Sequence, residues 1–192
     1  MDHATKRART SGQFHAVRFY ESKESLCRIV AEFLGEGFVA GQPALVIATP
    51  EHRDGIVAEL RARRFDIDTL TRDGDLLLLD AGETLDEFMV DGLPSTELFK
   101  SVGNRIIARV TRGRPGCVTR AYGEMVDLLW RGGHTIAAVR LEMLWNQLAM
   151  THDFSLLCGY SMGNFYKDAG VGDICRQHSH VISAEGDAAP VN

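Results

Sequence analysis

The sequence has no window of about 20 consecutive apolar residues, so it offers no transmembrane span. No apolar core follows its start, so no secretory leader is expected. Its four cysteines, Cys27, Cys117, Cys158 and Cys175, form no C-x-x-C, which removes the usual zinc-knuckle and thiol-redox signatures. Positive charge is not in excess either. A net charge of −5 gives no footprint for nucleic acid or an anionic membrane. Internal repeats and low-complexity tracts are also missing. These absences predict a cytoplasmic globular protein with buried, reduced thiols, no direct nucleic-acid binding and no membrane contact.

The 192 residues, 45% hydrophobic and 24% charged, suit one packed domain. The basic run Lys6-Arg7-Ala8-Arg9 lies in a polar stretch, and residues 1–13 and 183–192 read as disordered tails around a single domain at 14–182. Between them the pattern alternates. "FHAVRFY" (14–20), "PALVIAT" (43–49), "DLLLLDA" (75–81), "CVTRAY" (117–122) and "FSLLCGY" (154–160) read as buried strands. Leu26, Ile29, Val30, Phe33 and Leu34 form one apolar helix face, with Gly35 and Gly37 as its stops. Thr49-Pro50 reads as an N-cap and first helical position. Thr84-Leu85-Asp86-Glu87 has capping-box spacing and opens a helix that ends at Asp91-Gly92. Further helices are predicted after Pro94, over 123–131 and over 135–152, with a short helix and an edge strand before Ile182. This alternation predicts a three-layer α/β fold, a mostly parallel sheet with helices on both faces.

In such sheets ligands sit at the carboxyl ends of the strands, near a switch in strand order. Tyr20, Thr49–Arg53, Asp80, Tyr122–Glu124 and Gly159–Ser161 fall there. Gly159-Tyr160-Ser161-Met162-Gly163 matches the G-x-S-x-G of a nucleophile elbow. The hydrolase order needs an acid and a base on further strands after the serine, and only residues 162–192 remain. The match therefore reads as a glycine-rich turn, and a minimal hydrolase using Ser161 is the alternative. No catalytic residue is assigned. Thr49-Pro50-Glu51-His52-Arg53 lies where a phosphate-binding loop would lie, but it lacks the glycines and the lysine, so no ATP hydrolysis is expected. The cofactor, if any, is undetermined. Cys175-x-x-His178-x-His180 has no second ligand pair, so its histidines read as surface residues and no metal is expected.

On the 135–152 helix, Glu142 and Asn146 are four apart and share a face with Trp145, opposite Arg140 and Gln147. That face points inward, where Glu142 is either bonded to backbone or Arg120, or forms one wall of a pocket. Glu124 aligns with Asp127 and Arg131 as a surface stripe. Tyr122, Glu124, Glu142, Trp145 and Asn146 together could line one ligand pocket.

Read together, "IATPEHRDGI", "DAGETLDEFMVDGLP", "RAYGEMVDLLWRGG", "LEMLWNQLA", "FSLLCGYSM" and "ICRQHSHVI" resemble the MEDS domain, the sensory domain of methanogen and methylotroph proteins and of the regulator DcmR. The likeness covers roughly residues 13–182. It implies a RecA/KaiC-like fold without a working P-loop, and a signal-input role with small organic molecules, such as hydrocarbon derivatives, as ligands. It also implies output through a separate protein such as a histidine kinase or transcription regulator, or through homo-oligomers, since the stretch before Phe14 is too short for a helix-turn-helix. A ligand-free interaction module is the plainer alternative. The resemblance puts His15, Tyr20, Glu51, His52, Arg53, Tyr122, Glu124, Glu142, Trp145, Asn146 and Cys158 at recurrent positions. With Thr49 and Tyr160 at their strand ends, these are the candidate ligand-binding residues.

Overall fold

The computed structural model describes residues 14–162, 171–182 and 188–190. Strands β1 (His15–Tyr20), β2 (Ala44–Ala48), β3 (Leu76–Asp80), β6 (Thr119–Gly123), β7 (Phe154–Ser161), β8 (His180–Ile182) and β9 (Ala188–Pro190) form one sheet in the order β3-β2-β6-β7-β1-β8-β9. Every pairing from β3 across to β8 is parallel; only β9 joins antiparallel. The strands are apolar on both faces because both are covered. All five residues of β2 are buried.

Side-chain alternation divides the core in two. Val17, Leu45, Ile47, Ala121, Leu156 and Cys158 face one layer, built by helices α4 (Ala81–Asp86), α5 (Thr96–Thr111), α6 (Met125–Arg131) and α7 (Thr135–Leu148), with Ile174 of α8 (Val171–Gln177). Ala16, Tyr20, Val46, Ala48, Tyr122 and Leu157 face the other, built by α1 (Lys23–Val39), α2 (Pro50–Ala62) and α3 (Ile67–Arg72). Period-2 alternation along each strand delivers alternate residues to opposite layers. Among the described residues no helix is long and apolar enough to cross a membrane.

Several local expectations are corrected. Helix α1 runs through Gly35 and Gly37 to Val39. Neither glycine is a stop. A Cβ on Gly35 would lie 2.9 Å from Phe65 Cε2, and one on Gly37 would collide with the Arg120 side chain, so both glycines serve close packing. Helix α4 is capped by Asp80, which accepts from the Gly82 and Glu83 N–H groups; Thr84 sits inside it and donates to the Asp80 carbonyl. Asp91 and Gly92 have φ values of 48° and 78° and turn a two-residue hairpin between β4 (Met89–Val90) and β5 (Leu93–Pro94). That Asp-Gly pair is a hairpin signal and not the helix end expected there, because both residues take the positive φ that a two-residue turn requires. Helix α7 stops at Leu148. Ala188–Pro190, inside the stretch expected to be a tail, pairs as β9; the stretch 1–13 lies outside the described residues.

Gly35→Ala tests the packing reading. Alanine adds helix propensity of about 1 kcal/mol, whereas the overpacking against Phe65 costs roughly 1–3 kcal/mol. A lower melting temperature is expected; a rise would mean that the glycine is not there for room.

Candidate functional site

The turns that leave β2 and β6 go to opposite sheet faces: α2 places Ile56 and Leu60 in one layer, α6 places Met125, Val126 and Leu129 in the other. These strands are neighbours, so their carboxyl ends open the crevice where α/β sheets receive ligands. Thr49 and Glu124 meet there. The Thr49 N–H donates to Glu124 Oε1 at 2.5 Å, His52 Nδ1 lies 2.6 Å from Oε2, and the Tyr122 hydroxyl donates to Oε2 at 3.0 Å. Thr49 caps α2 by backbone geometry alone, its side chain making no capping bond. Beside this group Asp127 accepts from the Ser161 N–H (3.0 Å) and the Tyr20 hydroxyl (3.4 Å), and pairs with Arg131 at 3.5 Å. The Tyr20 ring stands edge-on to His52, centroids 5.7 Å apart.

Glu124 and Asp127 are each only 2% exposed, so the surface stripe expected of them does not exist. Burial pushes the Glu124 carboxyl up, but the His52 hydrogen bond and charge and the Thr49 N–H outweigh it, leaving the group below its ordinary range. The Glu124 bond raises His52 against the opposing effect of burial. Asp127 is raised, burial prevailing over the Ser161 N–H and Arg131. Arg53 lies 3.9 Å from Asp80 at the half-open rim. Glu51 is on the surface, paired with Lys23 at 2.8 Å.

A second group occupies the opposite face of the sheet, beneath α7. Glu142 is fully buried. The Tyr160 hydroxyl donates to its Oε1 at 2.7 Å, His178 Nε2 lies 3.4 Å from the same atom, and His15 Nε2 lies 3.1 Å from Oε2. Cys158 Sγ is 3.5 Å from Oε2 and 3.3 Å from His15 Nε2. One donor atom from each of His15, Glu142, Cys158 and His178 lies within 4.8 Å of all the others. Asn146 lies at the edge: its Nδ2 donates to the Gln177 carbonyl at 2.8 Å, which turns Oδ1 toward His15 Nδ1 at 3.0 Å. Burial and then the Glu142 carboxylate push the Cys158 thiol well above its ordinary range. Burial raises Glu142 too, but His178 and His15 outweigh it and leave the carboxyl well below the usual carboxylate range.

The expected residues thus divide between two hydrogen-bonded groups. Tyr20, Thr49, His52, Tyr122 and Glu124 meet at the crevice; His15, Glu142, Asn146, Cys158 and Tyr160 meet under α7. Trp145 packs in the aromatic core, edge-on to Phe99 and Phe154 at 5.2 and 6.0 Å. Arg120, offered as a partner for Glu142, instead bonds Gln42 and stacks on Phe33. His178, read as a surface residue by its spacing from Cys175 and His180, is 5% exposed and points into the Glu142 group. Asp127 was missed as a site residue because charge spacing alone cannot say which helix face is covered. Ser161 is the last residue of β7, and Gly163, the end of the G-x-S-x-G match, lies outside the described residues. A Cβ on Gly159 would lie 2.7 Å from the Tyr122 hydroxyl oxygen, so that glycine makes room for the tyrosine.

The family model described as the MEthanogen/methylotroph, DcmR Sensory domain matches residues 14–179. The chain belongs to the MEDS family. The matched range takes in both groups and every candidate residue. The comparison with curated proteins returns no match. Membership supports a sensory, regulatory role for the chain.

The His52–Glu124 pair has a defined pH signature. His52 is raised, so its contribution to stability is complete below its ordinary value of 6.5 and fades as pH rises through the raised one. Glu124 is lowered, so its contribution is complete above its ordinary 4.5 and fades as pH falls through the lowered value. The pair is therefore strongest between about pH 4.5 and 6.5. His52→Gln should cost about 1–3 kcal/mol near pH 5.5 in denaturant melts and much less near pH 9. An equal loss at both values would mean that the pair is not charged.

Proposed function

We propose that this MEDS chain is a cytoplasmic signal-input protein that binds a small organic ligand and passes the signal to a separate protein, such as a histidine kinase or a transcription regulator, or to a second copy of itself. The observation that carries the reading is the group at the β2/β6 crevice. Thr49, His52, Tyr122 and Glu124 converge on one point, at the place where open α/β sheets receive ligands. Deeply buried carboxylates under a half-open rim of His52, Arg53 and Asp80 supply fixed polar groups that orient a molecule, and the Tyr20 and Tyr122 rings supply apolar contact. A hydrocarbon derivative with one hydrogen-bonding function fits that chemistry.

A RecA/KaiC-like ancestry without a phosphate cradle is part of the same reading. The turn from β1 to α1 is Glu21-Ser22 and that from β2 to α2 is Thr49. Neither holds a glycine, and Glu124 already takes the Thr49 N–H. A phosphate needs several free backbone N–H groups and a lysine at such a turn. No magnesium-dependent ATP turnover above background is expected, and a turnover abolished by Arg53→Ala would contradict this.

Native mass spectrometry of the purified chain, followed by thermal melts with short alcohols, aldehydes, amines and halogenated hydrocarbons, tests the ligand. A compound at about 100 times its Kd should stabilise the chain by roughly 2.7 kcal/mol, and Glu124→Gln should remove most of that gain. A bare chain in the spectrometer and no shift with any compound class would overturn the proposal.

A further inference from the structure

The geometry points to a second, independent site: His15, Glu142, Cys158 and His178 form a buried centre for one divalent ion of the zinc class. The argument begins with the outer nitrogens of the two imidazoles. His178 Nδ1 lies 2.7 Å from the Ile174 carbonyl, which can only accept. His15 Nδ1 lies 3.0 Å from Asn146 Oδ1, and that amide is locked in orientation by its own donation to the Gln177 carbonyl. Both Nδ1 atoms therefore carry hydrogens. Both Nε2 atoms are left facing the carboxylate of Glu142, at 3.1 and 3.4 Å. Among the described residues His178 Nε2, although buried, makes no hydrogen bond: its approach to Oε1 is close but not in bonding geometry.

Two neutral imidazoles would aim lone pairs at a carboxylate, which is repulsive. Two imidazoliums would bury one uncompensated positive charge, which costs several kcal/mol; one imidazolium beside one neutral ring balances the charge but still leaves an Nε2 lone pair facing the carboxylate. A divalent ion removes both problems. It turns each lone pair into a ligand bond, and with Cys158 as thiolate and Glu142 ionised its charge is cancelled. The thiol proton is released to solvent on binding, as it must be for any cysteine ligand. Bonds of about 2.0–2.3 Å give a tetrahedron with edges of roughly 3.3–3.8 Å. His15 Nε2, Cys158 Sγ and Glu142 Oε2 form one face of such a figure, at 3.1, 3.3 and 3.5 Å; His178 Nε2 stands 3.4 Å from the other carboxylate oxygen, Oε1, and one donor from each of the four residues lies within 4.8 Å of the rest. One thiolate, two imidazoles and one carboxylate select zinc-class ions over magnesium or calcium, which take oxygen ligands. The backing is also that of a metal site. Each histidine is oriented by an acceptor behind it, and Tyr160 bonds the carboxylate from outside. Four protein ligands close the site, so the ion is held rather than used to activate water.

Cobalt(II) titration of chelator-stripped full-length protein tests the proposal. Expected are one ion per chain, the visible bands of tetrahedral cobalt and a near-ultraviolet thiolate-to-metal band. The triple variant C27S/C117S/C175S leaves Cys158 as the only thiol and should keep the thiolate band, while Cys158→Ser should lose it. Asn146→Ala, behind His15, should weaken zinc binding by roughly 10–100-fold while keeping the band. A stripped protein that is folded by circular dichroism and gives no cobalt spectrum overturns the proposal, as does a thiolate band that survives Cys158→Ser or is lost in the triple variant. Should Cys158→Ser fail to fold, the triple variant decides alone. Small-molecule binding at the β2/β6 crevice is measured separately, so either reading can fail without the other.

Discussion

The whole architecture has to accommodate one fully buried carboxylate, that of Glu142. An ionised carboxylate away from water is tolerable only with partners on every side. Its partners come from β1, β7 and the segment just after α8, as His15, Cys158, Tyr160 and His178. None of these is near Glu142 in sequence except the two on β7. The first strand, the last core strand and the chain after residue 170 must all be in place before α7 can bury its acid. Disrupting any one partner exposes the cost of the charge, so the docking of α8 and the pairing of β1 with β7 are conditional on one another.

Strand β7 is what joins this group to the crevice on the other side of the sheet. Cys158 and Tyr160 point to Glu142; between them Gly159 leaves space for the Tyr122 hydroxyl, which bonds Glu124. One residue on, the Ser161 N–H is held by Asp127. Four consecutive residues thus serve two polar groups in strict alternation. The G-x-S-x-G match is explained by this service. Its first glycine is demanded by a tyrosine on the neighbouring strand, and its serine contributes a backbone N–H to Asp127.

Much of the fold was legible because apolar runs of strand length, separated by helix-period segments, leave few alternatives to a covered parallel sheet. The inward face of Glu142 and Asn146 was legible for the same reason, since periodicity fixes faces. What could not be read were partners. Glu142 meets His15 and His178 only because β1 is inserted between β7 and β8, and strand order is not written in local pattern. The glycines of α1 were misread because a stop and a close approach look alike until Phe65 and Arg120 are in place. Asp127 and Arg131 do align with Glu124, but the alignment marks a covered face, because the crevice brings Tyr20 and Ser161 over it.

The two groups differ in the property that matters for a sensor. The crevice group has a rim: the His52 side chain is 12% exposed, and Arg53 and Asp80 are 27% and 22% exposed. The Glu142 group has none, its imidazoles and carboxylate being sealed. The organic ligand proposed above would therefore compete for the first group without having to enter the second. Close-packed interiors transmit displacement rather than absorb it. A ligand that drew Glu124 away from Tyr122 would free the ring that rests against Gly159, and a shift of that strand segment carries Cys158 and Tyr160 with it. The sealed group resists such a shift because moving either side chain strips a partner from a buried charge. If the crevice is the input site, as proposed, then backing it with a charge that penalises intermediate positions is the arrangement that favours two discrete states over a continuum.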